Sequence, residues 1–283
     1  MTQVLACIDG SLSSPAVCDY AAWASLRLGA PLCLLHVLDH KQYPPRSDLS
    51  GNIALGSREQ LLQELAELDE RRSKLGLEQG RLALEAARER VQRDGVANPQ
   101  LRQRHGDLVD SLRELENDIR LLVIGRQGET SDAVSQLVGS QLESVIRTLH
   151  RPILVSPGQF RAPRSLMLAY DGSATCDKGV DLLAASPLFQ GLPIHVVMVG
   201  ADSDAARAQL QQAERRLVAG GHQVQLAIRA GEVEPSLHDY QTEQDIDLLV
   251  MGAYGHSRIR QFLVGSTTSH MLQTSVSPLL LLR

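Results

Sequence analysis

Two doubly wound α/β domains in tandem are predicted for this chain by three observations. Short apolar runs alternate with helical patterns along the whole length. The runs are continuous in apolar residues rather than alternating, which suits parallel strands covered on both faces. The order of elements then starts again near residue 165, so the second half repeats the first. Alternating strands and helices require parallel pairing with right-handed crossovers.

In the first half, Val4 to Ile8 is an apolar run that ends at Asp9-Gly10-Ser11. A helical pattern runs from Pro15 to Leu28, and Gly29-Ala30-Pro31 stops it. Leu32 to Leu38 reads as a second buried strand, followed by a polar loop with Pro44 and Pro45. From Ser57 to about Arg93 lies a long charged helical segment with leucines at 61, 65, 68, 75 and 82. That spacing resembles a coiled-coil stripe, although Gly76 and Gly80 interrupt it. The segment reads as a helix covering the sheet with an exposed extension, or as a helix that binds a partner. Gln100–His105 is a weak strand and Leu108–Asn117 a helix; Leu121–Ile124 is a strand that ends at Gly125. A helix from about Gly139 to Leu149 and a strand from Arg151 to Val155 complete the half.

Ser156 to Pro163 is a short junction rich in turn formers, which divides the chain into domains at 1–158 and 164–283. The insertion at about 41–93 belongs to the first. Ser165 to Ser173 then repeats the order apolar run, Asp, Gly, Ser, and Pro193–Gly200 repeats Pro31–Leu38. Ala205–Ala219 is a shorter version of the long helix, Gln223–Arg229 a third strand and Ser236–Gln244 a helix. Leu248–Met251 repeats Leu121–Ile124, and Pro278–Leu282 repeats the last strand of the first half.

Ligands of open α/β sheets bind outside the carboxyl ends of the strands, where strand order reverses. The second half places Asp171, Val199 and Gly252 at such ends. After Gly252 come Gly255 and then Gly265-Ser266-Thr267, at the start of a helix-compatible segment. Glycines let the backbone approach an anion, a helix start presents free N–H groups, and Ser or Thr adds a hydroxyl. An acid beside such a cradle repels phosphate, so Asp171 suits a ribose hydroxyl, an adenine amino group or a magnesium ion. His256 and Arg258 lie within the loop and add positive charge.

Composition narrows the function classes. Aromatics are 3% of the residues, which disfavours a stacking platform for single-stranded nucleic acid. A formal net charge of −5 supplies no overall basic field for DNA. Hydrophobic content of 43% lets each half bury its own core. Cys7, Cys18, Cys33 and Cys176 form neither a CxxC pair nor a disulfide framework, and read as buried reduced thiols. No run reaches the roughly 18–20 apolar residues of a membrane span, and no leader pattern opens the chain. The expected location is cytoplasmic, with neither nucleic acid nor membrane as partner. Walker, dinucleotide and nucleophile-elbow motifs are missing from the sequence, as are zinc-type His/Cys groupings. Ser266 and His270 have helical i,i+4 spacing but no orienting acid, a poor hydrolytic pair. No catalytic or metal-ligating residue is assigned.

The segment Gly252-x2-Gly255-x9-Gly265-Ser266, with Asp171 ahead of it, resembles the universal stress protein family. ATP-binding members of that family share G-x2-G-x9-G-(S/T) after strand four. The resemblance implies strand order 3-2-1-4-5 in each domain and an adenine contact from the backbone near Val199. It also implies an ATP-type ligand, with magnesium carried by the nucleotide if at all. The first half resembles the family too, through Asp9, Val37 and Gly125-x2-Gly128. There ten residues rather than nine precede Gly139-Ser140, and Glu129 and Asp132 make the loop acidic. Unequal binding by the two halves is therefore expected.

The family resemblance further implies pairing of the two halves through their last strands, which suits the apolar Leu279–Leu282. The expected function is a stress-response regulatory protein that binds an adenine nucleotide and passes the change to a protein partner, with a further homodimer left open. The alternatives are a slow ATPase or autophosphorylating protein, with Ser266 or Thr267 accepting phosphate, and a nucleotide-free scaffold using the helix around Leu61 to Leu82.

Overall fold

The computed structural model describes residues 2–38, 55–126, 140–253, 268, 271–272 and 274–283. The first half runs β1 (Gln3–Cys7), α1 (Ser14–Leu28), β2 (Leu32–Leu38), α2 (Leu55–Arg93), β3 (Gln100–His105), α3 (Leu108–Leu115), β4 (Ile119–Gly125), α4 (Ser140–Thr148) and β5 (Ile153–Ser156). The second half runs β6 (Leu166–Ala169), α5 (Ala174–Ala185), β7 (Ile194–Val199), α6 (Asp204–Ala219), β8 (Val224–Arg229), α7 (Val233–Glu243), β9 (Leu248–Gly252) and β10 (Leu279–Leu282). Between β9 and β10, Thr268, Met271, Leu272 and Thr274 are helical.

Local chemistry accounts for the helix ends. Gly29 closes α1 with φ at 57°, a left-handed cap that only glycine adopts without strain. The hydroxyls of Ser173 and Ser203 accept from the N–H groups of Cys176 and Ala206 at the starts of α5 and α6, and the Asp107 carboxylate accepts from Val109 N–H at the start of α3.

All ten strands form one sheet, in the order β3-β2-β1-β4-β5-β10-β9-β6-β7-β8. Within each half the order is the expected 3-2-1-4-5 and every pairing is parallel. The halves join through their last strands. β5 and β10 pair antiparallel, with Leu279 opposite Val155, Leu280 opposite Leu154 and Leu281 opposite Ile153.

Alternation along each strand feeds two cores. Val4, Ala6, Leu154, Leu280 and Leu282 face one layer, packed against α1, α2, α5 and α6. Leu5, Ile153, Val155, Leu279 and Leu281 face the other, packed against α3, α4, α7 and Met271-Leu272. Both layers run unbroken across the junction, so neither half buries its core alone. Polar contacts flank the seam: Arg27 donates to the Leu188 carbonyl at 2.7 Å, Arg283 donates to the Leu149 carbonyl at 2.6 Å, and the rings of Tyr20 and Phe160 meet edge to face at 4.7 Å.

The segment between β5 and β6 is pinned by Asp247, whose side chain is 1% exposed. Its Oδ2 accepts from Arg164 N–H at 2.9 Å and from Arg164 Nε at 3.2 Å, and Arg161 Nε lies 3.1 Å from Oδ1. The arginine side chains are 60% and 64% exposed, so removing the acid returns them to water rather than stranding buried charge. Asp247→Ala should therefore cost about 1–3 kcal/mol, the range for lost charge-assisted hydrogen bonds. Urea denaturation measures the loss, and faster amide exchange at Arg164 locates it.

His195 on β7 is buried, with Nδ1 2.8 Å from the Tyr240 hydroxyl. Burial lowers its pKa below the ordinary 6.5. The unfolded chain thus takes up a proton that the folded chain refuses. This contribution to stability is complete above pH 6.5 and declines as pH falls towards the folded pKa. The urea midpoint should drop over that window, and His195→Gln should flatten that part of the profile.

Helix α2 covers the sheet with its C-terminal part and extends beyond it as an exposed helix, and its leucine stripe is not the face that packs. Its buried face is Gly76, Gly80, Leu84, Ala87 and Val91, while Leu68, Leu75 and Leu82 are exposed. A Cβ on Gly76 would sit 2.9 Å from Leu38 Cδ1, and one on Gly80 would sit 2.4 Å from His36 Cδ2 and 2.5 Å from Gln103 Nε2. The glycines that interrupt the sequence pattern are what bring the helix against β2 and β3. Only the C-terminal part of α2 has a counterpart in α6: Ala83 approaches Gly10 as Gln209 approaches Gly172.

Candidate functional site

Each half has a switch point. From β1 the chain crosses first to β2 on one side and later to β4 on the other, and β6 stands in the same relation to β7 and β9. The loops leaving such a central strand and its outer neighbour diverge, and a crevice opens between them. Asp171, Val199 and Gly252 therefore come together at the carboxyl ends of three adjacent strands, as do Asp9, Val37 and Gly125. Because β5 and β10 run antiparallel, the two carboxyl edges face opposite ways. The two clusters are at opposite margins of the sheet and cannot share one ligand.

In the second half, Tyr170 N–H donates to the Val197 carbonyl at 2.9 Å, which fixes the backbone ahead of Asp171. Ser173 N–H donates to Asp171 Oδ1 at 2.9 Å, while the Ser173 hydroxyl caps α5. Asp171 is exposed and Val199 partly so. Beyond Val199, no atom of the described residues lies within 4 Å of where a Cβ on Gly200 would stand. Gly252 closes β9, and Ala253 N–H donates to the Leu282 carbonyl at 2.9 Å. Gly255, Gly265, Ser266 and Thr267, with His256 and Arg258, lie outside the described residues.

Thr268 is a residue that the motif does not pick out. It is buried, and its hydroxyl lies 3.5 Å from the Gly252 carbonyl and 3.4 Å from that of Ala253. The helical segment after the glycine stretch is thereby held against the strand end before it. In the sequence its only signal is a hydroxyl one position past Ser266-Thr267.

The first half differs at its acid. Asp9 Oδ1 accepts from Ser11 N–H at 3.0 Å, the Ser11 hydroxyl at 2.7 Å and the Ser14 hydroxyl at 2.9 Å. Ser11 and Ser14 turn their hydroxyls onto the carboxylate, where Ser173 turns its own away. Val37 is partly buried, and Gly125 pairs with Ser156 at the end of β4. Gly128 and Gly139 are outside the described residues, as are Glu129 and Asp132; Ser140 begins α4.

The thiols are poor nucleophiles. Burial, with the Asp9 carboxylate second, pushes Cys7 up to about 12. Burial pushes Cys18 to about 12 and Cys176 to about 11. No group of three or more His, Cys, Asp or Glu side chains suited to a metal ion occurs among the described residues. No helix among them is long and apolar enough to cross a membrane.

A family model described as the universal stress protein family matches residues 1–157 and 198–283. The chain belongs to the universal stress protein family. Universal stress protein Slr1230 of Synechocystis sp. is 37% identical over 287 residues, covering the whole of both chains. A universal stress protein of Archaeoglobus fulgidus shares the fold at a TM-score of 0.67 and 18% identity, over 99% of this chain and 95% of that one. The putative universal stress protein of Pseudomonas aeruginosa UCBPP-PA14 gives a TM-score of 0.64 at 16% identity, over 100% and 93%. Asp171 lies between the two regions matched to the universal stress protein model. Its assignment rests on its place at the carboxyl end of β6.

Proposed function

We propose that this universal stress protein binds an adenine nucleotide of the ATP type in its second half and uses the bound state to regulate a protein partner in a stress response. The reading is carried by the convergence of Asp171, Val199 and Gly252 on adjacent strand ends, at the mouth of the Gly252-x2-Gly255-x9-Gly265-Ser266 segment. Asp171 would take a ribose hydroxyl, the backbone at Val199 the adenine edge, and the glycines with Ser266 and Thr267 the phosphates. Any magnesium would arrive with the phosphates. A nucleotide that prefers one arrangement of the 252–268 segment shifts the population towards it, and the altered surface biases the partner. The Thr268 contacts supply the anchor about which such a segment rearranges.

The Asp9 cluster, Asp9 with Val37, Gly125, Gly128, Gly139 and Ser140, is the weaker counterpart under this proposal. A nucleotide must displace the serine hydroxyls already donated to Asp9, and Glu129 and Asp132 in the same loop repel polyphosphate.

Isothermal titration with ATP should give saturable binding at one dominant site. Gly265→Glu places a carboxylate in the phosphate cradle and should abolish it. Asp171→Ala should weaken it roughly 10- to 100-fold, the worth of one or two charge-assisted hydrogen bonds. Gly139→Glu should leave the dominant site unchanged. Wild-type protein that gives no heat and no thermal shift with ATP, ADP or AMP overturns the proposal.

A further inference from the structure

Helix α2 carries a surface that the fold does not use. Its 39 residues span about 58 Å at about 1.5 Å per residue. Gly80 sits level with His36 and Gly76 level with Leu38, the last residue of β2. The helix therefore rises towards its own N-terminus past the carboxyl end of the strand. Residues 55–75 project beyond it by about 30 Å at the same rise per residue. Where side chains are described in this projection, from Gln63 to Leu75, they are exposed.

Leu68, Leu75 and Leu82 are 48%, 65% and 54% exposed. They recur every seven residues, Leu61 continues the spacing in the sequence, and they stand on the side of the helix away from Gly76, Gly80 and Leu84. A seven-residue apolar repeat is the pattern of a helix that pairs with another helix. Intrahelical ion pairs, Lys74 to Glu70 at 2.7 Å and Arg81 to Glu78 at 2.7 Å, support the helix but leave this stripe in water.

Charge identifies the occupant. Residues 55–70 carry five carboxylates and one arginine, a net −4; residues 71–93 carry seven lysines and arginines and three glutamates, a net +4. A parallel pair of such helices sets like against like. An antiparallel pair sets each acidic half against a basic half, so the helix is complementary to itself reversed. We propose that α2 is a dimerisation arm, in which the projecting stripes of two chains pair antiparallel as a short two-stranded coiled coil. The pairing is isologous and closes at two chains. It turns the carboxyl edges of the two first halves towards each other and leaves the second-half edges outward.

Sedimentation equilibrium on the full chain tests this. The parent should run at twice the chain mass, and its dimer should weaken with added salt. Leu68→Glu with Leu75→Glu should run at the single mass, with unchanged helical circular dichroism because both side chains are already in water. A second pair of variants guards against misfolding. Reversing the acidic half (Glu64→Lys, Glu67→Lys, Glu70→Lys) should give a monomer, as should reversing the basic half (Arg71→Glu, Arg72→Glu, Lys74→Glu). Mixing the two should restore a dimer. A parent that is monomeric at every concentration overturns the proposal. So does a dimer that survives the leucine changes, or a mixture of the charge variants that stays monomeric.

Discussion

Replacing Leu280 by aspartate should prevent the chain from folding as a single unit. Leu280 is 1% exposed and lies between Leu154 on β5 and Val250 on β9. A carboxylate there has apolar neighbours on both sides, and no lysine or arginine is among the buried residues described. It either stays ionised without solvation or takes up a proton, and both are costly. The penalty should reach about 4–5 kcal/mol or more, at the far end of the range for single substitutions. The milder Leu280→Ala removes transfer energy and leaves a cavity, which places it at about 2–5 kcal/mol. Calorimetry distinguishes the two, and amide exchange shows where the damage spreads. Because both core layers cross the seam, protection should fall together at Ile153–Val155 and Leu249–Met251. A Leu280→Asp protein that melts within a few degrees of its parent would mean that the junction contributes little to stability.

The second large effect is expected at Gly80, where two principles point in opposite directions. Helix propensity alone says that glycine in a helix interior costs about 1 kcal/mol relative to alanine, so Gly80→Ala should stabilise. Packing says otherwise, because the new Cβ falls 2.4–2.6 Å from the His36 ring and the Gln103 amide. His36 cannot turn aside without losing the contact of its Nδ1 with the Ile8 carbonyl at 2.8 Å. Overpacking of this kind typically costs about 1–3 kcal/mol, which offsets the propensity gain for alanine and leaves a net loss. For Gly80→Leu the three further carbons have no space between helix and sheet, and a loss of about 3 kcal/mol or more should result. Urea denaturation of the two variants settles the order. An alanine variant more stable than the parent would show that α2 can lift from the sheet at little cost.

Much of this architecture is legible in the sequence. Apolar runs ending in Asp-Gly-Ser at two places, with helices between strands in the same order, leave few topologies once parallel pairing is required. The meeting of the halves at β5 and β10 is implied by the family resemblance together with the apolar Leu279–Leu282, whereas its antiparallel sense is seen only in the structure. For helix α2 the covering part and the exposed extension are legible in the sequence, but the buried face is not, for a physical reason. Hydrophobic periodicity finds a buried face by the large side chains that fill it, and here that face is partly made by their absence at Gly76 and Gly80. The leucines that dominate the pattern point the other way. Thr268 was missed because a hydroxyl that ties one end of a loop to the other has no spacing of its own. The difference between Asp9 and Asp171 lies partly in where Ser11 and Ser173 turn their hydroxyls, which no motif records, and partly in Ser14, whose counterpart five residues after Asp171 is Cys176.

The junction between β5 and β10 also sets how the molecule responds to dilution. Two separate chains that met through such strands would part as their concentration fell, since their association is second order. Here one polypeptide carries both strands, so their meeting is first order and its equilibrium has no concentration term. A dimer made through α2 would still obey mass action. Diluting the protein should therefore strip away the arm-to-arm contact and leave the ten-stranded sheet of each chain whole.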